Sequence, residues 1–168
     1  MFAHKDFEHL VRAYSAELFR YAYWQCRDRG LAEDLVQETF ARAWKARDQL
    51  HDLDAVKPWL YRILRNEHAR LYERKGLPMA DEELSELPIA DGIDLERDYA
   101  VREQVAMLAP QYREPLLMQV LGGLSCAEIG DTLGIGEVAV MQRLTRARLA
   151  LRRLWLGETA HERKEERS

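Results

Sequence analysis

Cysteine is nearly absent. Cys26 and Cys126 stand a hundred positions apart, with no CxxC pair and no Cys/His cluster around them, so neither a disulfide framework nor a zinc site is expected. A reducing cytoplasm fits. Long apolar runs are missing too: none approaches the roughly 18 residues of a membrane span. Met1-Phe2-Ala3-His4-Lys5-Asp6 has no apolar signal core, which points to a soluble, cytoplasmic protein. Strand-like alternation is nowhere sustained, and there is no internal repeat. Clusters able to do chemistry are equally sparse. His51-Asp52-Leu53-Asp54 and the pair Glu67-His68 come without a nucleophile, a phosphate loop or metal spacing, so no enzyme activity, cofactor or metal site is expected. With 47% apolar and 32% charged residues in 168, the chain still has the composition of a folded protein.

The net charge of −4 argues against a nucleic-acid partner until the charges are placed. Residues 76–98 hold eight carboxylates against a single arginine. From Val138 to Gly157, in contrast, there are five arginines (Arg143, Arg146, Arg148, Arg152, Arg153) and no acid, and residues 57–75 hold six bases against Glu67 and Glu73. Electrostatic potential is local, screened over about 10 Å, so two basic surfaces on an acidic chain can still bind phosphate.

Apolar residues recur at helical spacing over residues 6–27 (Phe7, Leu10, Val11, Tyr14, Leu18, Ala22, Cys26), and Arg29-Gly30 marks a break. A second helix is expected over residues 31–47, a polar loop over 49–56, and a third helix from Lys57-Pro58 to about Lys75, with proline in its first turn. Residues 76–98 contain Gly76, Pro78, Pro88 and Gly92 among their carboxylates, the composition of a linker, with a helical turn or two expected over 80–87. Helical patterns resume over 95–108, 110–121, 126–133 and 137–155, and the charged tail over 158–168 is expected to fray. The reading is all-α: a bundle over residues 1–75, an acidic flexible linker over 76–98, and a second bundle over 99–157.

Leu124 to Gly136 carries the clearest motif. Ser125 and Glu128 make an S-x-x-E capping box, Gly134 stands where a left-handed C′ residue is cheapest, and Gly130 sits inside the helix at a cost of about 1 kcal/mol against alanine. Such a cost is explained if another helix crosses closely at that point, as in a helix-turn-helix, with Ile129, Leu133, Ile135 and Val140 filling the space. On the following helix Val140, Leu144, Ala147, Leu151 and Leu154 form the inward stripe. The opposite face then carries Val138, Gln142, Thr145, Arg146, Leu149 and Arg153. Gln142 and Arg146 suit base edges, since glutamine pairs with adenine and arginine with guanine, while Arg148, Arg152 and Arg153 suit phosphates.

Ala32-Glu33-Asp34-Leu35-Val36-Gln37-Glu38-Thr39-Phe40 with Trp59-Leu60-Tyr61-Arg62-Ile63-Leu64-Arg65-Asn66 resembles region 2 of bacterial sigma factors. Gly123 to Ile129 followed by Arg143-Leu144-Thr145-Arg146-Ala147-Arg148 resembles region 4. Both words in order, from about Phe7 to Trp155, make the chain similar to the extracytoplasmic-function (group IV) factors of the sigma-70 family. The resemblance implies that Asp34, Gln37, Glu38 and Ala41 dock on the β′ clamp of core RNA polymerase. It implies that residues 49–56, with Arg62, Arg65, Asn66 and Arg70, recognise and melt the minus-10 element. Region 4 would bind the β flap and read the minus-35 element through Val138, Gln142, Arg143, Thr145, Arg146 and Arg148, with Arg152 and Arg153 on promoter phosphates. It also implies a cognate anti-sigma factor, often membrane-anchored.

Trp59, Tyr61 and Tyr72 are aromatic candidates for stacking on unpaired bases, although core packing is the expected use of Trp59 and Tyr61. Promoter elements two helical turns apart lie roughly 70 Å apart, and 23 linker residues reach about 75–80 Å, so both bundles can engage at once. One stretch departs from the family: where Ser-x-Gly-Thr-Val-Lys-Ser-Arg is usual, this chain has Gly136-Glu137-Val138-Ala139-Val140-Met141-Gln142-Arg143, which loses a base and a hydroxyl cap and alters the expected minus-35 preference. Two rival readings are a stand-alone helix-turn-helix regulator, which leaves the region 2 words unexplained, and a sigma mimic, which would carry eroded basic residues.

Overall fold

In the computed structural model, residues 3–75 and 95–165 are described. Every regular element among them is helical. The first bundle comprises α1 (His4–Cys26), α2 (Arg29–Lys45) and α3 (Val56–Lys75), and the second α4 (Leu95–Met107), α5 (Pro110–Val120), α6 (Cys126–Leu133) and α7 (Glu137–Glu165). The helical turn expected over 80–87, and most of the expected linker, lie outside the described residues.

Local chemistry sets the helix ends. The α1–α2 break falls at Arg27 and Asp28, before the glycine that signals it in the sequence. Arg27 takes a left-handed conformation (φ 57°) as its amide donates to the Tyr23 carbonyl, and the Asp28 carboxylate caps α2 by accepting from the Leu31 amide at 2.9 Å. The cap overrides the weak helix propensity of Gly30. Between α2 and α3 the expected loop is stiffened by two short 3-10 turns, Arg47–Gln49 and Leu53–Ala55. The helix α7 continues through Glu165 instead of fraying at Gly157. Its last turns are rich in Ala, Glu, Arg and Lys, strong helix formers that offset one glycine.

The first bundle buries Leu10, Leu18, Ala22, Leu35, Phe40 and Leu64, and the second Leu116, Met118, Ile129, Val140, Leu144 and Ala147. Each of these side chains larger than alanine contributes about 1.5–3 kcal/mol. The two bundles also pack directly on each other, α1 against α4 and α5, and α3 against α6. Tyr21 and Tyr61, both fully buried, meet edge to face at 4.9 Å near this junction. Gly122 lies so close that an added Cβ would come within 2.8 Å of the Tyr61 hydroxyl. Polar groups add to the junction, as they commonly do in interdomain contacts. Lys57 donates to the Gly122 carbonyl at 2.6 Å, and Arg113 donates to the Gln25 side-chain oxygen at 3.1 Å. Arg27 pairs with Glu103.

Candidate nucleic-acid interface

The helix-turn-helix is built as its motif predicts. Ser125 Oγ accepts from the Glu128 amide at 3.1 Å while Glu128 accepts from the Ser125 amide at 3.0 Å. Gly134 closes α6 in the left-handed region (φ 70°). A Cβ on Gly130 would stand 2.7 Å from the Ile135 carbonyl oxygen and 3.6 Å from Val140, so this glycine is what lets the turn fold back over α6. Val140, Leu144 and Ala147 are buried. Val138, Gln142, Thr145, Arg146, Leu149, Arg152 and Arg153 are all exposed, and Arg143 is half-buried. Arg148 is exposed but bonded to Gln119 of α5. A helix with one face locked into the domain and the other holding arginines without acids has the form and charge to enter a DNA groove.

On α2, Asp34, Gln37, Glu38 and Ala41 are exposed along one face, behind which Ala32, Leu35, Val36 and Phe40 are buried. Glu38 pairs with Arg42 at 3.3 Å. The second bundle packs chiefly on α1 and α3.

The α3 residues behave differently. Arg62 donates to the Asp131 carbonyl of α6 at 2.7 Å, and Arg65 pairs with Glu114 of α5 at 2.9 Å. Asn66 is exposed, and Arg70 pairs with the buried Glu67 of its own helix at 3.3 Å. Of the four residues expected at the minus-10 element, two are therefore engaged by the second bundle. Tyr61 is core, its hydroxyl donating to Glu17 at 2.9 Å; burial first, and Glu17 next, push its pKa up, so it remains a donor. Trp59 is half-buried and packs against the core, while the Tyr72 side chain lies outside the described residues. Residues 47–56 wall a cleft of about 840 Å³ against α1, lined by Tyr14, Arg47, His51 and Leu53 among others.

Periodicity missed Lys57, Gln25 and Arg113, which join the bundles, and Glu17, which holds Lys57 and Tyr61 within the first. All are polar residues at positions that a single apolar stripe assigns to solvent. Their signal, if any, is burial: Gln25 is 6% and Arg113 8% exposed, values that only the assembled fold provides.

Comparison with known proteins agrees with this geometry. The sigma-70 region 2 family matches residues 10–77, and sigma-70 region 4 matches residues 99–151. The extracytoplasmic-function sigma factor SigL of Mycobacterium tuberculosis is 31% identical over 150 residues, covering 85% of each chain. SigG of the same species is 32% identical, and the probable sigma factor RfaY of Xanthomonas campestris 33%. The chain spans only 48% and 34% of those two relatives. Among solved structures, the sigma factor RpoE of Bartonella quintana, in complex with the anti-sigma factor NepR, superposes with a TM-score of 0.76 at 27% identity, covering 90% of this chain and 97% of that one. The sigma factor CnrH, solved with the cytosolic domain of CnrY, shares the fold at 24% identity and a TM-score of 0.71. A capped helix-turn-helix behind a region 2 bundle, with relatives that match across both, makes this chain a member of the extracytoplasmic-function sigma factors of the sigma-70 family.

Proposed function

We propose that this protein directs promoter-specific initiation by core RNA polymerase and performs no covalent chemistry of its own. Residues 1–75 bind polymerase and open the minus-10 element, residues 76–98 tether the halves, residues 99–157 hold the minus-35 element, and residues 158–168 extend beyond it as a charged tail. The exposed α2 face of Asp34, Gln37, Glu38 and Ala41 docks on the β′ clamp, and the second bundle on the β flap. Arg62, Arg65, Asn66 and Arg70 act on the minus-10 strands, and the cleft of about 840 Å³ behind residues 47–56 has room for an unpaired base. Arg146 and Gln142 read bases of the minus-35 duplex beside Val138, Arg143 and Thr145, while Arg148, Arg152 and Arg153 hold phosphates.

The observation that carries this reading is the α6–α7 unit, whose exposed face bears arginines and no acid from Val138 to Gly157. That unit alone supports DNA binding. Its attachment to a region 2 bundle, with an open face of its own, supports a polymerase subunit over a stand-alone regulator. Because Arg62 and Arg65 are bonded to the second bundle, their use on DNA requires the bundles to part. A partner that holds the closed form would silence the factor, and a relative of this fold is bound by an anti-sigma protein; a cytoplasmic anti-sigma domain, free or membrane-anchored, is the regulator we assign. Run-off transcription tests the function: core polymerase plus this protein should initiate at discrete promoters, and transcription unchanged from core alone would defeat it.

A further inference from the structure

The face of α7 assigned above to the major groove is largely apolar along its first three turns, with arginines beside and beyond that stretch. Val138 is 67% exposed, Met141 55% and Leu149 50%. At about 100° per residue, Val138, Thr145 and Leu149 fall within about 40° of one another, Met141 about 60° to one side, and Gln142 and Arg146 about 40° and 80° to the other. None of these belongs to the inward stripe of Val140, Leu144 and Ala147. Thr145 donates its hydroxyl to the Met141 carbonyl at 3.0 Å. Its polar group is spent on its own helix, and the methyl is what it offers a partner.

Only one group on the major-groove edge of DNA is apolar, the 5-methyl of thymine. Resting on the initiation-factor reading, we infer that Val138, Met141 and Thr145 read thymine methyl groups in the upstream promoter element, while Gln142 and Arg146 read polar base edges beside them. Charge decides the occupant. The strip is set among Arg143, Arg146, Arg148, Arg152 and Arg153 with no carboxylate from Val138 to Gly157, which complements a polyanion; an apolar patch meant for a protein needs no such surround. The departure at Gly136 to Arg143 thereby gains a meaning: where the family usually has glycine and lysine, this chain has Val138 and Met141, exchanging a charge contact for an apolar one.

The experiment uses the full chain assembled with core polymerase on a promoter selected by initiation from a randomised library. Thymines of the upstream element are replaced singly by deoxyuridine, which removes only the methyl. A buried methyl is worth about fourfold in binding, so at least one replacement should lower initiation about fourfold. A chain with Val138→Ala and Met141→Ala should lose that penalty, initiating more weakly from the thymine template and nearly unchanged from the uracil one. Equal activity on thymine and uracil templates would overturn the inference, as would a selected element with no thymine on either strand. So would an alanine chain that loses polymerase or anti-sigma association instead of thymine preference, which would make the strip a protein-docking surface. Failure to initiate from any library member would sink the initiation-factor reading and this inference with it.

Discussion

Arg65 of α3 and Glu114 of α5 form an ion pair of 2.9 Å across the junction of the two bundles. An arginine assigned to promoter DNA is thus neutralised by a carboxylate of the other half. Both side chains are partly exposed, 37% and 23%, so the pair contributes no more than about 1 kcal/mol. Glu114→Gln removes the competing anion and keeps the shape. Binding of a single-stranded minus-10 oligonucleotide, followed by fluorescence anisotropy, should tighten about two- to fivefold, a change consistent with that energy. Unchanged or weaker binding would mean that Arg65 serves the junction alone.

The α6–α7 turn depends on the missing side chain of Gly130. A Cβ there stands 2.7 Å from the Ile135 carbonyl, a backbone atom that cannot rotate away. Gly130→Ala gains helix propensity but forces the turn open, for a net loss of about 1–3 kcal/mol. Denaturant unfolding should show it. An alanine variant as stable as the parent would mean that the crossing is looser than these distances.

Arg146 and Arg152 are both exposed on α7, one near the turn and one almost two turns further on. Arg146→Ala should cost about 1–3 kcal/mol on the preferred minus-35 duplex and relax preference at one position. Arg152→Ala should weaken all duplexes alike and lower the salt slope by about one. Affinities measured against salt on preferred and scrambled duplexes separate the two. Identical behaviour of both variants would leave no base reader at Arg146.

Wherever an element buries one apolar face, its placement is readable from residue order. Val140, Leu144 and Ala147 lie inside as their spacing predicts, and the Ser125–Glu128 box begins α6 where its chemistry demands. The junction between bundles is a different case. α1 turns Tyr21 and Gln25 inward in addition to Leu18 and Ala22, and the polar contacts made by Gln25, Arg113 and Lys57 add nothing to an apolar stripe that could be detected. The same reasoning explains the α1–α2 boundary. Gly30 is the conspicuous breaker, yet Asp28, by accepting from the Leu31 amide, decides the start of α2. The α2 face is legible only as a word shared with relatives, since the exposed Asp34, Gln37, Glu38 and Ala41 have the same periodicity as any solvated surface.

His68 gives the fold a pH dependence whose sign follows from its surroundings. Burial, and secondarily the Arg113 guanidinium of α5, push its pKa down to about 4, whereas in the unfolded chain it titrates near 6.5. Above about pH 6.5 the imidazole is neutral in both states, and nothing is lost. As the pH falls below that value the unfolded chain takes up a proton that the folded chain refuses, so stability declines until the folded pKa is reached. The loss at about pH 5 is on the order of 1–2 kcal/mol, and His68→Gln removes it. Denaturant unfolding of both chains between about pH 5 and pH 7 should therefore converge toward acid, the parent losing more than the variant. In the folded chain the imidazole takes its proton only near pH 4, where it sets two cations against each other across the bundle junction, so the radius of gyration of the parent should rise only as the pH approaches that value, while that of His68→Gln stays flat. Parallel stability curves for the two chains would remove His68 as the origin.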